Sequence, residues 1–126
     1  MNLSDQIRAA MGAHGLWKTR LRTAIDSGVS DFSVAVVKQD NQCAFGKWLY
    51  GDGLDPQLKK SPEYLRCVDL HRRFHLVTAG VLSLALEGKK TAAMNAMELN
   101  SEFAQISAAL TLHLMEWRAS LASVPA

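Results

Sequence analysis

The chain carries apolar residues that return every three or four positions over long stretches, and most of its glycines and prolines fall between those stretches. That spacing places side chains on one face of a helix with 3.6 residues per turn. Nothing alternates convincingly over six or more residues, as a half-buried strand would. The sequence therefore predicts a mainly α-helical domain. A first helix is expected from about residue 3 to about 26, with Ile7, Met11, His14, Trp17 or Lys18, Leu21 and Ile25 on its apolar side and Gly28 ending it. From Gly28 to Gln42 the pattern weakens, and Phe32 to Val37 reads as a helical turn or a short strand. A short helix opening at Cys43 would bury Phe45, Trp48 and Leu49 and break at Gly51-Asp52-Gly53.

Ser61-Pro62-Glu63 is a helix start signal, Ser61 as the cap and Pro62 in the first turn, where its missing N–H costs nothing. The helix it opens is expected to reach about Gly88, with Leu65, Val68, His71, His75, Thr78, Leu82 and Ala85 along one stripe. A last helix, about Thr91 to Leu121, would carry Leu99, Phe103, Ile106, Leu110, His113 and Trp117 inward. Four main segments joined by short connections imply an all-α fold, an antiparallel four-helix bundle with an additional turn that carries Cys43.

Composition limits the function. With 126 residues and 48% hydrophobic content, a single domain spanning 1–126 can bury a core without disulfides. Fourteen basic residues against twelve acidic ones leave +2, and the basic residues are scattered, so nucleic acid is not the expected partner. The first five residues lack the features of a secretory signal. No apolar run approaches the roughly 20 residues that span a bilayer, so no membrane insertion and a cytoplasmic location are expected. Two cysteines in a reducing compartment read as free thiols or metal ligands.

His71-Arg72-Arg73-Phe74-His75 is the most informative local feature. Two imidazoles four residues apart share a helical face with about 6 Å of axial rise between them, a separation that suits a shared metal. Alone the pair also fits two core histidines with one hydrogen bond each. Three of the four histidines and one cysteine fall on inward faces or turns of separate segments, and such groups are costly to bury together unless something satisfies them jointly. Imidazoles with one thiolate make a nitrogen/sulfur set that points to Zn²⁺ ahead of Mg²⁺ or Ca²⁺. At the start of a short helix with Lys47 one turn on, Cys43 is expected to be pushed toward thiolate by the unpaired amides, the helix dipole and a nearby metal. Cys67 would lie about 12 Å along the axis from His75, too far for one zinc to take both, and reads as a core thiol. His113 has no paired ligand in its segment and reads as a core histidine.

These residues resemble the bacterial chemoreceptor zinc-binding domain. Its pattern is a histidine on the first helix followed closely by an aromatic residue, then a cysteine turn, then a paired histidine motif. Here these read His14-Gly15-Leu16-Trp17-Lys18, Cys43-Ala44-Phe45-Gly46-Lys47-Trp48-Leu49-Tyr50-Gly51, and His71 through His75, over about residues 10 to 110. The cysteine motif is the specific one. The resemblance implies a four-helix bundle with a 3His/1Cys zinc site on His14, Cys43, His71 and His75, leaving Cys67 and His113 outside. It also implies control of an output, such as a chemotaxis signalling domain or a diguanylate cyclase, and a homodimer. No output domain lies within these 126 residues, so the output would sit on a partner or on further chain.

The function expected is thus a regulatory sensor, not an enzyme, whose input is zinc or an oxidant such as hypochlorous acid acting at Cys43. A zinc hydrolase would need an open metal position and a general base, and arginines stand where the HRRFH motif would have to offer a glutamate. A di-iron bundle would need inward carboxylates, and Glu63, Glu98 and Glu116 do not stand in Glu-x-x-His spacing. The remaining alternative is a helical interaction module without metal.

Overall fold

The structure, a computed structural model, describes residues 2–122. Among them are α1 (Leu3–Ser27), α2 (Val34–Lys38), α3 (Ala44–Tyr50), a 3₁₀ turn at Leu58–Lys60, α4 (Pro62–Leu86), α5 (Lys90–Asn95) and α6 (Glu102–Ala122), with no strand. The weak stretch between Phe32 and Val37 resolves as a helical turn. Ser33 caps it, its hydroxyl accepting from the Val36 amide at 3.2 Å.

Local chemistry sets the ends of the long helices where the sequence marks them. Asn2 caps α1 by accepting from Asp5 N–H. Gly28 ends it at φ 75°, a left-handed conformation that glycine adopts without a Cβ penalty, and its amide reaches back to the Ala24 carbonyl. Ser61 accepts from Tyr64 N–H at the start of α4, with Pro62 in the first turn.

Cross-helix contacts give the topology. Phe32 meets Trp17, and Trp48 donates its indole N–H to Gln6, so the α2–α3 segment runs back along α1. The same segment runs antiparallel to α4, since Val37 meets His75 while Leu49 meets Tyr64. Arg118 bonds Ser4 and Ser107 bonds His14, which sets α6 antiparallel to α1. His113 with Glu63 and Phe103 with Phe74 set it antiparallel to α4. The result is an up-down-up-down bundle whose second stave is not one helix but the broken α2–α3 segment.

The last stave departs from the sequence expectation. Instead of one helix from Thr91 to Leu121, α5 stops at Asn95 and α6 begins at Glu102, with Asn100 at φ 72° between them. Asparagine is among the few side chains that tolerate that conformation. Leu99, expected inward, falls in this break and is 90% exposed. Leu65, expected on the inner stripe of α4, is also exposed, whereas His71, His75, Thr78, Leu82 and Ala85 are buried as expected. The core is closed by Ile7, Leu21, Leu49, Phe74, Leu82, Leu110 and Leu114, all almost inaccessible.

Two leucines separate core from break. Leu21→Ala should cost about 2–5 kcal/mol in urea unfolding, whereas Leu99→Ala should stay within about 0.5 kcal/mol. Equal costs would contradict the break between α5 and α6.

Candidate metal centre

Where α1, the α2–α3 segment and α4 meet, they enclose a cavity of about 220 Å³ whose walls include His14, Cys43, His71 and His75. His14 comes from the middle of α1, and His71 and His75 occupy successive turns of α4. Cys43 is the cap residue of α3, its Sγ accepting from the Gly46 amide at 3.2 Å. Sγ lies 3.5 Å from His71 Nε2 and 3.3 Å from His75 Nε2. The three ligand atoms all fall within 4.8 Å of one another. A tetrahedral zinc with ordinary bond lengths holds a sulfur and a nitrogen about 3.5 Å apart. The triad is already at that spacing.

Each imidazole is oriented by a different neighbour. His75 Nδ1–H donates to the Val37 carbonyl at 2.8 Å. A carbonyl can only accept, so the proton is fixed on Nδ1 and the Nε2 lone pair faces Cys43. His71 is stacked under Phe45, ring centres 4.2 Å apart and planes 8° from parallel, so the helix that supplies the sulfur also clamps a ring that faces it. His14 meets Ser107 Oγ through Nε2 at 3.0 Å and packs edge-on against Phe74. Its Nδ1 is buried with no hydrogen-bond partner. His14 thus lines the same cavity but is not one of the three mutually close ligands.

Gly46 is dictated by the turn itself. A Cβ at Gly46 would stand 1.8 Å from the Asp40 carbonyl oxygen, so only glycine lets the 40–43 turn lie against α3. Tyr50 donates its hydroxyl to the Asp40 carboxylate and closes the same turn from the other side. Tyr64 O–H anchors the end of α3 by donating to the Leu49 carbonyl at 2.8 Å.

Burial controls the protonation of the site. It lowers His71 to about 3, with the neighbouring His75 and His14 acting in the same direction. It lowers His14 to about 4 against the opposing bond to Ser107. His75 is lowered too, less so because the Val37 bond and Asp40 favour its charged form. All three imidazoles are therefore neutral at pH 7, the form that binds metal. Cys43 corrects an expectation. Burial and then Asp40 raise its pKa, outweighing the amides of the α3 start, so the protein alone does not make it a thiolate. A bound cation would supply the missing stabilisation.

Nitrogen and sulfur donors, the spacing of the triad and the partnerless Nδ1 of His14 together fit a zinc ion. Cys67 is fully buried on α4, pushed up to about 12 by burial, and is no part of the cluster. His113 gives Nε2–H to the Glu63 carbonyl, the single bond expected of a structural histidine. Ser107, the Val37 carbonyl and the Phe45 stacking face were not anticipated from the sequence. A backbone carbonyl leaves no sequence signal, and Ser107 is one of two serines on its helix.

The model of the chemoreceptor zinc-binding domain family matches residues 14–82, more than half of the chain. The chain belongs to this family. Searches of curated proteins and of solved structures give no match. The matched span starts at His14 and takes in Cys43, His71 and His75, so every wall of the cavity that carries a donor atom lies inside the family region. As a chemoreceptor zinc-binding domain the chain is a zinc-binding signalling module, and Cys43, His71 and His75 form a candidate centre within it.

The buried histidines give the metal-free protein a defined acid sensitivity. In the unfolded chain they take protons as pH falls through about 6.5. In the folded chain His14 and His71 do so only near 4 and 3. Stability is complete above pH 6.5 and is lost as pH falls from there toward 4. The thermal midpoint of chelator-treated protein should drop over that range, and a midpoint independent of pH between 7 and 4 would contradict the buried neutral state. Gly46→Ala should weaken zinc retention by moving the 40–43 turn, with helical circular dichroism almost unchanged. Retention equal to wild type in that variant would contradict the close approach.

Proposed function

We propose that this domain binds one zinc ion through His14, Cys43, His71 and His75 and acts as a non-catalytic sensor. The observation that carries the reading is the convergence of a thiol and two imidazoles at zinc spacing inside an apolar bundle, with a third imidazole on the same cavity holding a buried nitrogen without a partner. Four protein donors complete a tetrahedral zinc and leave no position for a reactive water, which is the arrangement of structural and regulatory sites.

The centre ties α1, the Cys43 turn and α4 together, so loss of the Cys43 bond would release the turn while the remaining histidines stay on their long helices. Oxidation of the sulfur to a sulfenic acid would weaken that bond and couple a redox signal to the bundle. The partner would be an output domain of chemotaxis or cyclic-di-GMP signalling, and a homodimer would present two such centres to it. A cytoplasmic location fits this role. Among the described residues, no helix is long and apolar enough to cross a membrane.

Metal analysis of purified protein should find one zinc per chain. His71→Ala should lose it, and His14→Ala, which removes the fourth ligand and opens the site, should retain it more weakly than wild type. Cys43→Ser should abolish oxidant-driven zinc release. Stoichiometric zinc in His71→Ala, or unchanged oxidant response in Cys43→Ser, would overturn the respective half of the proposal.

A further inference from the structure

Beside the candidate metal ligands, the wall of the cavity has a second construction of its own. Trp17 of α1 and Phe32, just before α2, form an aromatic corner with ring centres 5.2 Å apart and planes inclined at 58°. The guanidinium of Arg20, one turn beyond Trp17, stands 4.9 Å from the centre of each ring. All three side chains line the cavity that His75 and Cys43 also line. Trp17 itself is buried and touches His75 edge-on at 5.9 Å, so the aromatic corner is in direct contact with the metal side.

Arg20 carries a permanent charge. Among the described residues it has no ion-pair partner, and its contacts are to the two ring faces. No acidic residue lines the cavity. Asp40, beside Gln39 in the chain, gives its carboxylate to Tyr50. The rings hold the cation in place but use none of its five N–H donors in conventional hydrogen bonds. A fixed, partly buried guanidinium without a counter-charge at the edge of a cavity is suited to bind an anion. Volume limits which one: about 220 Å³ for the whole cavity falls below the roughly 300–1,000 Å³ typical of drug-sized ligands.

We infer that the Arg20–Trp17–Phe32 corner is a binding site for a small monoanion of a few heavy atoms, a carboxylate or an inorganic anion, beside the candidate metal centre. The anion pairs with the guanidinium N–H groups that the ring faces leave unused. Its influence on the metal through the Trp17–His75 contact rests on the zinc reading; the binding site itself does not.

The test titrates the full chain, zinc-loaded and chelator-stripped, with sodium formate at constant ionic strength and follows the Trp17 indole N–H in ¹H–¹⁵N spectra, assigned with Trp17→Phe. A saturable shift is expected in both forms. Arg20→Gln should weaken binding roughly tenfold or more, and Arg20→Lys, which keeps the charge, should fall between the two. A shift that rises linearly without saturation, or one unchanged in Arg20→Gln, overturns the site. So does a shift seen only with zinc and independent of Arg20, which would place formate on the metal. Zinc retained without Arg20-dependent saturation refutes the anion site alone, and saturation in a protein that retains no zinc refutes the zinc reading alone.

Discussion

Three buried imidazoles and a half-buried thiol come together in a small apolar bundle, and the rest of the structure is arranged around that constraint. A buried polar nitrogen without a partner costs about 1–3 kcal/mol. The fold satisfies some of these atoms with its own groups: the Val37 carbonyl on His75 and Ser107 on His14. It leaves others, the Nδ1 atoms of His14 and His71, with none. A protein selected only for stability would fill such a cavity with leucines. Within the set, the ligand atoms of Cys43, His71 and His75 lie within 4.8 Å of one another, and burial keeps the imidazoles unprotonated.

The second stave of the bundle shows how the site shapes the fold. A continuous helix there could not bring both a backbone carbonyl to His75 and a sulfur to the His71–His75 pair. Breaking it into α2 and α3 does both, since the end of α2 presents Val37 and the start of α3 presents Cys43. The turn between them is held by contacts independent of any metal: Gly46 against the Asp40 carbonyl, and Tyr50 on the Asp40 carboxylate. The turn is therefore largely pre-formed, and the change in protonation at Cys43 is left for the metal to drive, because burial and the Asp40 carboxylate together hold the sulfur as a thiol.

Much of this was legible in the sequence, for identifiable reasons. Helix ends were readable at Gly28 and Ser61-Pro62 because capping is local chemistry. The inward placement of His71 and His75 followed from a four-residue spacing on a long helix. The break at Asn95–Glu102 was missed because Leu99 and Phe103 keep helical spacing across it, and periodicity does not register one asparagine in a left-handed conformation. The protonation of Cys43 was misjudged because a helix start and Lys47 are visible in sequence, whereas burial and the carboxylate of Asp40 depend on tertiary structure. The separation of His14 from the close triad is likewise a matter of how α1 packs, which spacing within α1 does not contain.

The central claim is the identity of the donors around the metal. X-ray absorption at the zinc edge of the purified wild-type protein reads it directly. A zinc held by His14, Cys43, His71 and His75, as proposed, has one sulfur at about 2.3 Å and three imidazole nitrogens at about 2.0 Å. A first shell of nitrogen and oxygen with no sulfur would contradict it, because Cys43 would then not be a ligand and the turn built to present it would have another purpose.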